Sequence, residues 1–236
     1  MLEVIPFRMS KRSRFLAIAI DGAAASGKSA TARILSERFN LLHADTGAYY
    51  RMVTLFLLKA GVSASTPAAV ASVLNKVAIG TVVSGRRALL CLNGRTELDT
   101  DLRSARINAH VALFAALPPV RTFLLPYQRS QVDIARHNRF TGLVMEGRDI
   151  GSVVLPYADF CFFLEADSAT RQQRRAKESS AGSRDVILSR DRMDATRKMG
   201  PLACAKHAVR IDTGQYSLEQ VVLFISKRIS GCSNRG

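Results

Sequence analysis

One stretch constrains this chain more than any other: Gly22-Ala23-Ala24-Ala25-Ser26-Gly27-Lys28-Ser29, of the form G-x-x-x-x-G-K-[ST]. It follows a continuous apolar run, Phe15–Ile20, that ends in Asp21, and it opens a helix-like stretch, Lys28–Phe39. Small residues let successive backbone N–H groups point inward at phosphate oxygens. The helix N-terminus adds a partial positive charge. The sequence therefore predicts a nucleoside triphosphate site built from Gly22 to Ser29 and the adjoining Ala30. Lys28 would reach the β- and γ-phosphates, and the Ser29 hydroxyl would contact Mg²⁺.

Short apolar runs at Leu41–Ala44, Leu143–Met145, Phe160–Leu164 and Ala208–Ile211 read as further strands. Continuous rather than alternating runs suit parallel strands buried on both faces. Helical patterns lie between them at Thr46–Ala60, Ser104–Leu117, Val120–Arg136, Ala169–Lys177 and Leu218–Ile229, the last with Ser217 as N-cap. The alternation predicts an α/β fold with a five-stranded parallel sheet flanked by helices. From about Val77 to Leu98 the chain turns Val/Ile/Thr-rich, with Ser84-Gly85-Arg86 and Asn93-Gly94 as turns. That region predicts a small antiparallel sheet inserted between the second and third core strands.

Composition narrows the partners. Among 236 residues, 34 Lys+Arg against 19 Asp+Glu give a net charge of +15, with no tryptophan. An apolar fraction of 47% supports a sizeable core. No run approaches the roughly 20 apolar residues of a membrane span. The first fifteen residues carry Arg8, Lys11, Arg12 and Arg14 without a secretory apolar core, and Met9 reads as an alternative start. Cys91, Cys161, Cys204 and Cys232 lie apart, with no C-x-x-C pair, and read as reduced thiols in a cytoplasmic protein. The four histidines read as scattered. A guanine-specific N-K-x-D motif is missing: Asn75-Lys76-Val77-Ala78 lacks the aspartate.

Two further segments fall where open α/β sheets bind ligands, at the carboxyl ends of strands: Asp45-Thr46-Gly47-Ala48-Tyr49-Tyr50-Arg51, and Gly147-Arg148-Asp149-Ile150-Gly151. With these, the sequence resembles the bacterial cytidylate kinases. The resemblance runs from about Phe15 to Ile229 on GAAASGKS, LLHADTGAYYR, VMEGRDIGSVVLPYADFCFFLEA, RQQRRAKE, and RDRMDATRKMGPL followed by AVRIDT. It implies transfer of the ATP γ-phosphate to CMP or dCMP by a soluble, cytoplasmic, Mg²⁺-dependent monomer that binds neither nucleic acid nor membrane. The acceptor is itself an ionised phosphate, so catalysis needs positioning and charge neutralisation rather than a general base.

Such chemistry calls for converging arginines. Arg171, Arg174 and Arg175 share one helix at i,i+3 and i,i+4 spacing, and Arg190 and Arg197 follow the Ser179–Ser183 loop. Residues 168–210 alone hold 11 Lys+Arg and 4 Asp+Glu, a net +7. The resemblance implies Arg174 on the ATP phosphates, Arg190 and Arg197 on the phosphates, Asp194 on the sugar hydroxyls and Arg51 on the acceptor phosphate. Asp45 and Thr46 would line the acceptor site. A carboxylate suits the cytosine amino group and an arginine its acceptors. By resemblance these are Asp149 and Arg121, with Arg148 beside them. Glu146 would serve Mg²⁺ directly or through water.

The implied organisation is a basic tail at 1–14, a triphosphate-binding core at 15–60 and 142–230, a monophosphate-binding region at 61–141, a mobile lid at 176–189 and a C-terminal tail at 231–236. Departures from the family pattern are Ala23 for proline, Ala112 for a serine near the base, Glu146 for aspartate, Ser152 for threonine, and a lid of 14 residues between Arg175 and Arg190, shorter than usual. Two other readings stand beside this one. One is a kinase for another small acceptor, such as UMP or a shikimate-like molecule. The other is a non-enzymatic P-loop protein that binds nucleic acid.

Overall fold

The computed structural model describes residues 15–178, 193 and 199–233. The expected parallel core is present. Strands β1 (Leu16–Gly22), β2 (Leu41–Asp45), β5 (Gly142–Gly147), β6 (Phe160–Glu165) and β7 (Val209–Asp212) lie side by side in the order β2-β5-β1-β6-β7. All four pairings between them are parallel. The apolar runs are continuous because successive side chains enter two different cores. On β1, Ile18 and Ile20 pack with Ala32, Leu35 and Phe39 of α1 (Lys28–Phe39) and with Val221, Val222, Ile225 and Ile229 of α8 (Leu218–Ser233). Ala19 faces the opposite way, into a core shared with α2 (Thr46–Lys59), α5 (Ala105–Ala115) and α6 (Pro118–His137). Each fully buried Ile or Leu there contributes roughly 1.5–3 kcal/mol.

The antiparallel insertion forms, but it is not a separate sheet. Strands β3 (Ile79–Ser84) and β4 (Arg87–Leu92) pair antiparallel across all six residues. β4 then meets β2 in parallel at one position, His43 opposite Arg87, which extends the main sheet to seven strands. Sequence pattern marks a hairpin but carries no information on which edge it joins. Two short helices, α3 (Pro67–Leu74) and α4 (Asp99–Leu102), also form in segments the periodicity does not flag. Ser217 does cap α8: its hydroxyl accepts from Gln220 N while Gln220 Oε1 accepts from Ser217 N, a reciprocal capping box.

One buried carboxylate sets the geometry where β1 leaves the sheet. Asp21 Oδ1 accepts from Ile150 N and Oδ2 from Gly151 N, each at 2.8 Å. Those two N–H groups open a single π-helical turn, Ile150–Val154, that follows β5. Burial pushes the Asp21 carboxyl up to about 6, against the pull of these two hydrogen bonds. A native pKa above the unfolded value means that the folded state binds the extra proton between about pH 4 and 6. Stability from this group therefore falls as pH rises through that window. Relative to Asp21→Asn, which cannot titrate there, the wild type should gain on the order of 3 kcal/mol between pH 7 and 4; urea unfolding across that range measures it.

Candidate active site

The loop after β1 turns tightly enough to aim its backbone inward. Ala25 and Gly27 sit at φ values of 59° and 88°, in the left-handed region. Gly22 meets β6 so closely that an added Cβ would lie 2.1 Å from the Leu164 carbonyl oxygen, which makes a side chain there incompatible with the sheet. Lys28 opens α1 and is 7% exposed; its Nζ donates to the Ala23 carbonyl at 2.6 Å. Burial, followed by the nearby Arg148 charge, lowers its pKa to about 7. An anion in the loop would oppose both effects and favour the ammonium.

This loop forms one end of a cleft of about 490 Å³ that also takes in Asp45, Thr46, Tyr50, Arg51, Arg103, Ala112, Glu146, Arg148 and Asp149. Ser26, Ser29 and Ala30 lie on the same wall as Ala24, Ala25 and Gly27. Asp45 caps α2, accepting from Ala48 N at 3.1 Å, and Thr46 Oγ1 donates to the Glu146 carbonyl at 2.8 Å. Arg51, on α2, donates to the Leu102 carbonyl at 3.0 Å and to Asn108 Oδ1 at 2.7 Å. Arg148 donates to the Gly22 carbonyl at 2.9 Å, tying the turn after β5 to the loop.

Asp149 also lines the cleft, and its Oδ2 accepts from Arg121 Nη2 in a pair whose side chains are 4% and 7% exposed. The guanidinium also lies 5.7 Å from the centre of the Tyr50 ring. Two residues 28 apart in sequence meet because α6 packs beside β5 and the turn that follows it.

Two carboxylates near the loop are driven apart in acidity. For Asp45, burial and the Glu146 charge push the carboxyl up, against His43 and Arg103. For Glu146, burial also pushes up, but the hydrogen bond and charge of His43, the Lys28 ammonium and the Ser29 hydroxyl hold the carboxyl below its ordinary value. Ser29 Oγ donates to Glu146 Oε2 at 2.7 Å. A hydroxyl beside a carboxylate fits a hard divalent cation that takes its remaining oxygens from nucleotide phosphates and water.

On α7 (Ser168–Glu178) both arginines at i,i+3 spacing turn to the loop. Arg174 Nη1 and Nη2 hold Thr213 Oγ1 at 2.9 Å and the Thr213 carbonyl at 2.6 Å, and Nη1 lies 3.5 Å from the Ala25 carbonyl. Arg171 is 8% exposed and donates to the Ala166 carbonyl at 3.1 Å, with Nη1 3.4 Å from that of Ala24. Arg190, Asp194 and Arg197 lie outside the described residues, as do all but the first three residues of the 176–189 lid.

Sequence reasoning missed Arg103, 3.7 Å from Asp45, and Thr213, which accepts from Arg174 and donates to the Ser26 carbonyl at 3.2 Å. It also passed over His43, whose Nε2 meets Glu146 Oε1 at 2.9 Å. The i,i+2 spacing of His43 and Asp45 on one strand was a usable signal, because both must face the same way. Thr213 closes the AVRIDT segment of the resemblance but was given no role, and Arg103 had no signal.

Removing Asp149 should strand a buried guanidinium. We expect Asp149→Ala to cost about 3–5 kcal/mol in urea unfolding, whereas Arg103→Ala, at an exposed pair, should cost no more than about 1 kcal/mol.

The family model for Cytidylate kinase matches residues 18–230. A cytidylate kinase of Clostridium tetani is 36% identical over 220 residues, covering 90% of this chain and 92% of that protein. One of Streptomyces avermitilis is 35% identical over 209 residues (87% and 88%), and one of Limosilactobacillus reuteri 36% over 223 residues (91% and 95%). Among solved structures, a shikimate kinase from Acinetobacter baumannii aligns with 93% of the chain and 95% of its own at a TM-score of 0.43 and 15% identity, too distant to bear on function. By sequence, over nearly its whole described length, the chain belongs to the cytidylate kinase family.

Proposed function

We propose that this kinase transfers the γ-phosphate of ATP to CMP or dCMP, giving ADP and the corresponding diphosphate, with Mg²⁺ and without a general base. The observation that carries the reading is one cleft lined both by the phosphate-binding loop and by Asp149, the buried partner of Arg121. Such a cleft suits two phosphorylated ligands meeting end to end. Lys28 and Arg174 neutralise charge on the triphosphate, with Gly22, Ala23, Ala24, Ala25, Ser26, Gly27, Ser29 and Ala30 forming its cradle. Arg51, Asp45 and Thr46 serve the acceptor's phosphate end, and Arg148 stands beside the residues that read the base. Arg190 and Arg197 would complete the phosphate clamp and Asp194 the sugar contact.

Asp149 accepts from the cytosine amino group, and Arg121 donates to the ring acceptors. Uracil would set a carbonyl against Asp149, and an unpaired buried polar group discriminates strongly. That argues against UMP as the main acceptor. A divalent cation at Ser29 and Glu146 would offset phosphate charge during transfer. No single helix among the described residues is long and apolar enough to cross a membrane, and Cys91, Cys161 and Cys204 are free thiols, which supports a reducing cytoplasm. We take the enzyme to act as a monomer on small molecules rather than on nucleic acid.

Coupled ADP release with CMP, dCMP and UMP at fixed ATP and Mg²⁺ tests the reading; it fails if neither CMP nor dCMP turns over. Lys28→Met should lower kcat about 10²-fold or more, as for other lost transition-state donors. Asp149→Asn keeps a polar partner for Arg121 but loses the carboxylate. Calorimetric titration should show CMP affinity dropping about tenfold while ATP affinity stays within about twofold, with the CMP/UMP preference narrowed.

A further inference from the structure

The buried imidazole of His43 has no part in the mechanism above. It stands two residues before Asp45 on β2, and Asp45 lies opposite Glu146 in the parallel register with β5. That register brings His43 Nε2 to 2.9 Å from Glu146 Oε1, with side chains 9% and 3% exposed. The other carboxylate oxygen, Oε2, accepts from Ser29 Oγ at 2.7 Å. The glutamate is therefore gripped from two sides, by a strand residue and by the first turn of α1. Its main chain is pinned as well, because Thr46 Oγ1 donates to its carbonyl. A glutamate has one more torsion than an aspartate, and its length is what lets one carboxylate span both donors.

We infer that His43 is a positioning residue: by donating to Oε1 it holds the Glu146 carboxylate with Oε2 toward Ser29, and so sets the affinity of the nucleotide site for its divalent cation. The inference rests on the proposed reading of Ser29 and Glu146 as the oxygen pair that holds that cation. Without the donor at Oε1, the carboxylate can turn away from Ser29, and one of its buried oxygens loses its partner. Hydrogen-bond partners behind a metal ligand commonly change metal affinity about 10- to 100-fold when removed.

The test follows Mn²⁺ binding by electron paramagnetic resonance, with the full chain and saturating ADP. His43→Leu fills the space but cannot donate, and should weaken Mn²⁺ binding about tenfold or more. His43→Gln, whose amide nitrogen reaches about as far as Nε2, should restore it to within about threefold. ADP affinity measured in EDTA should stay within about twofold of wild type for both variants, and the KM for CMP should not move. Should His43→Leu fail to fold, His43→Asn, whose amide stops short of Oε1, takes its place with the same expected loss. Wild-type Mn²⁺ affinity in the non-donating variant overturns the inference, as does an equal loss of ADP affinity in EDTA. If wild-type enzyme with ADP binds Mn²⁺ no more tightly than ADP alone, the reading of Ser29 and Glu146 itself fails, and the two failures are thereby told apart.

Discussion

The geometry of the cleft depends on one buried carboxylate. Asp21 ends the apolar part of β1, and both of its oxygens are taken by N–H groups at the start of the turn that follows β5. β1 leads into the phosphate loop, and the turn carries Arg148 and Asp149. A rigid two-point contact between them fixes the distance from the loop to the residues that would read the acceptor. Arg148 closes the same connection from the other side by donating to the Gly22 carbonyl. A carboxyl pushed up to about 6 by burial is a costly way to make this contact. Two backbone amides at the head of an irregular turn need acceptors in any case, and a carboxylate satisfies both at once.

Charge in the cleft is arranged in opposed pairs rather than as a uniform basic surface. Lys28 sits near Arg148 and is lowered to about 7, yet Glu146 and Asp21 pull it back toward the ammonium. Arg121 is matched by Asp149, and Arg103 approaches Asp45. Buried cations with partners already in place lose little by reorganising when a phosphate arrives, which is how preorganised electrostatics lowers a barrier. The net +15 charge is therefore a poor guide by itself. Where the arginines converge, on α7 and along the cleft, says more than their number.

Much of the core was legible because it follows local rules. The parallel strands show as unbroken apolar runs, since each must bury both faces. Ser217 announces the start of α8 as its N-cap, and the structure adds Gln220 as its reciprocal partner. The phosphate loop is legible for the same reason: its function depends on small residues in consecutive positions. His43 was passed over, because its partner Glu146 lies about a hundred residues away, and Arg171 was grouped with its helix neighbours although its contact with Ala24 spans still more of the chain.

The sequence by itself determined the five parallel strands with the main helices between them, the phosphate loop and the family, because these rest on contiguous residues with fixed periodicity or spacing. The tertiary structure decided what requires distant segments to meet. It set the seven-strand sheet, since β4 joins β2 through a single position. It brought Arg121 from α6 to Asp149 after β5, and it placed His43 and Ser29 on the two oxygens of Glu146. Strand register and helix packing choose those partners, and neither is written in any one stretch of the chain.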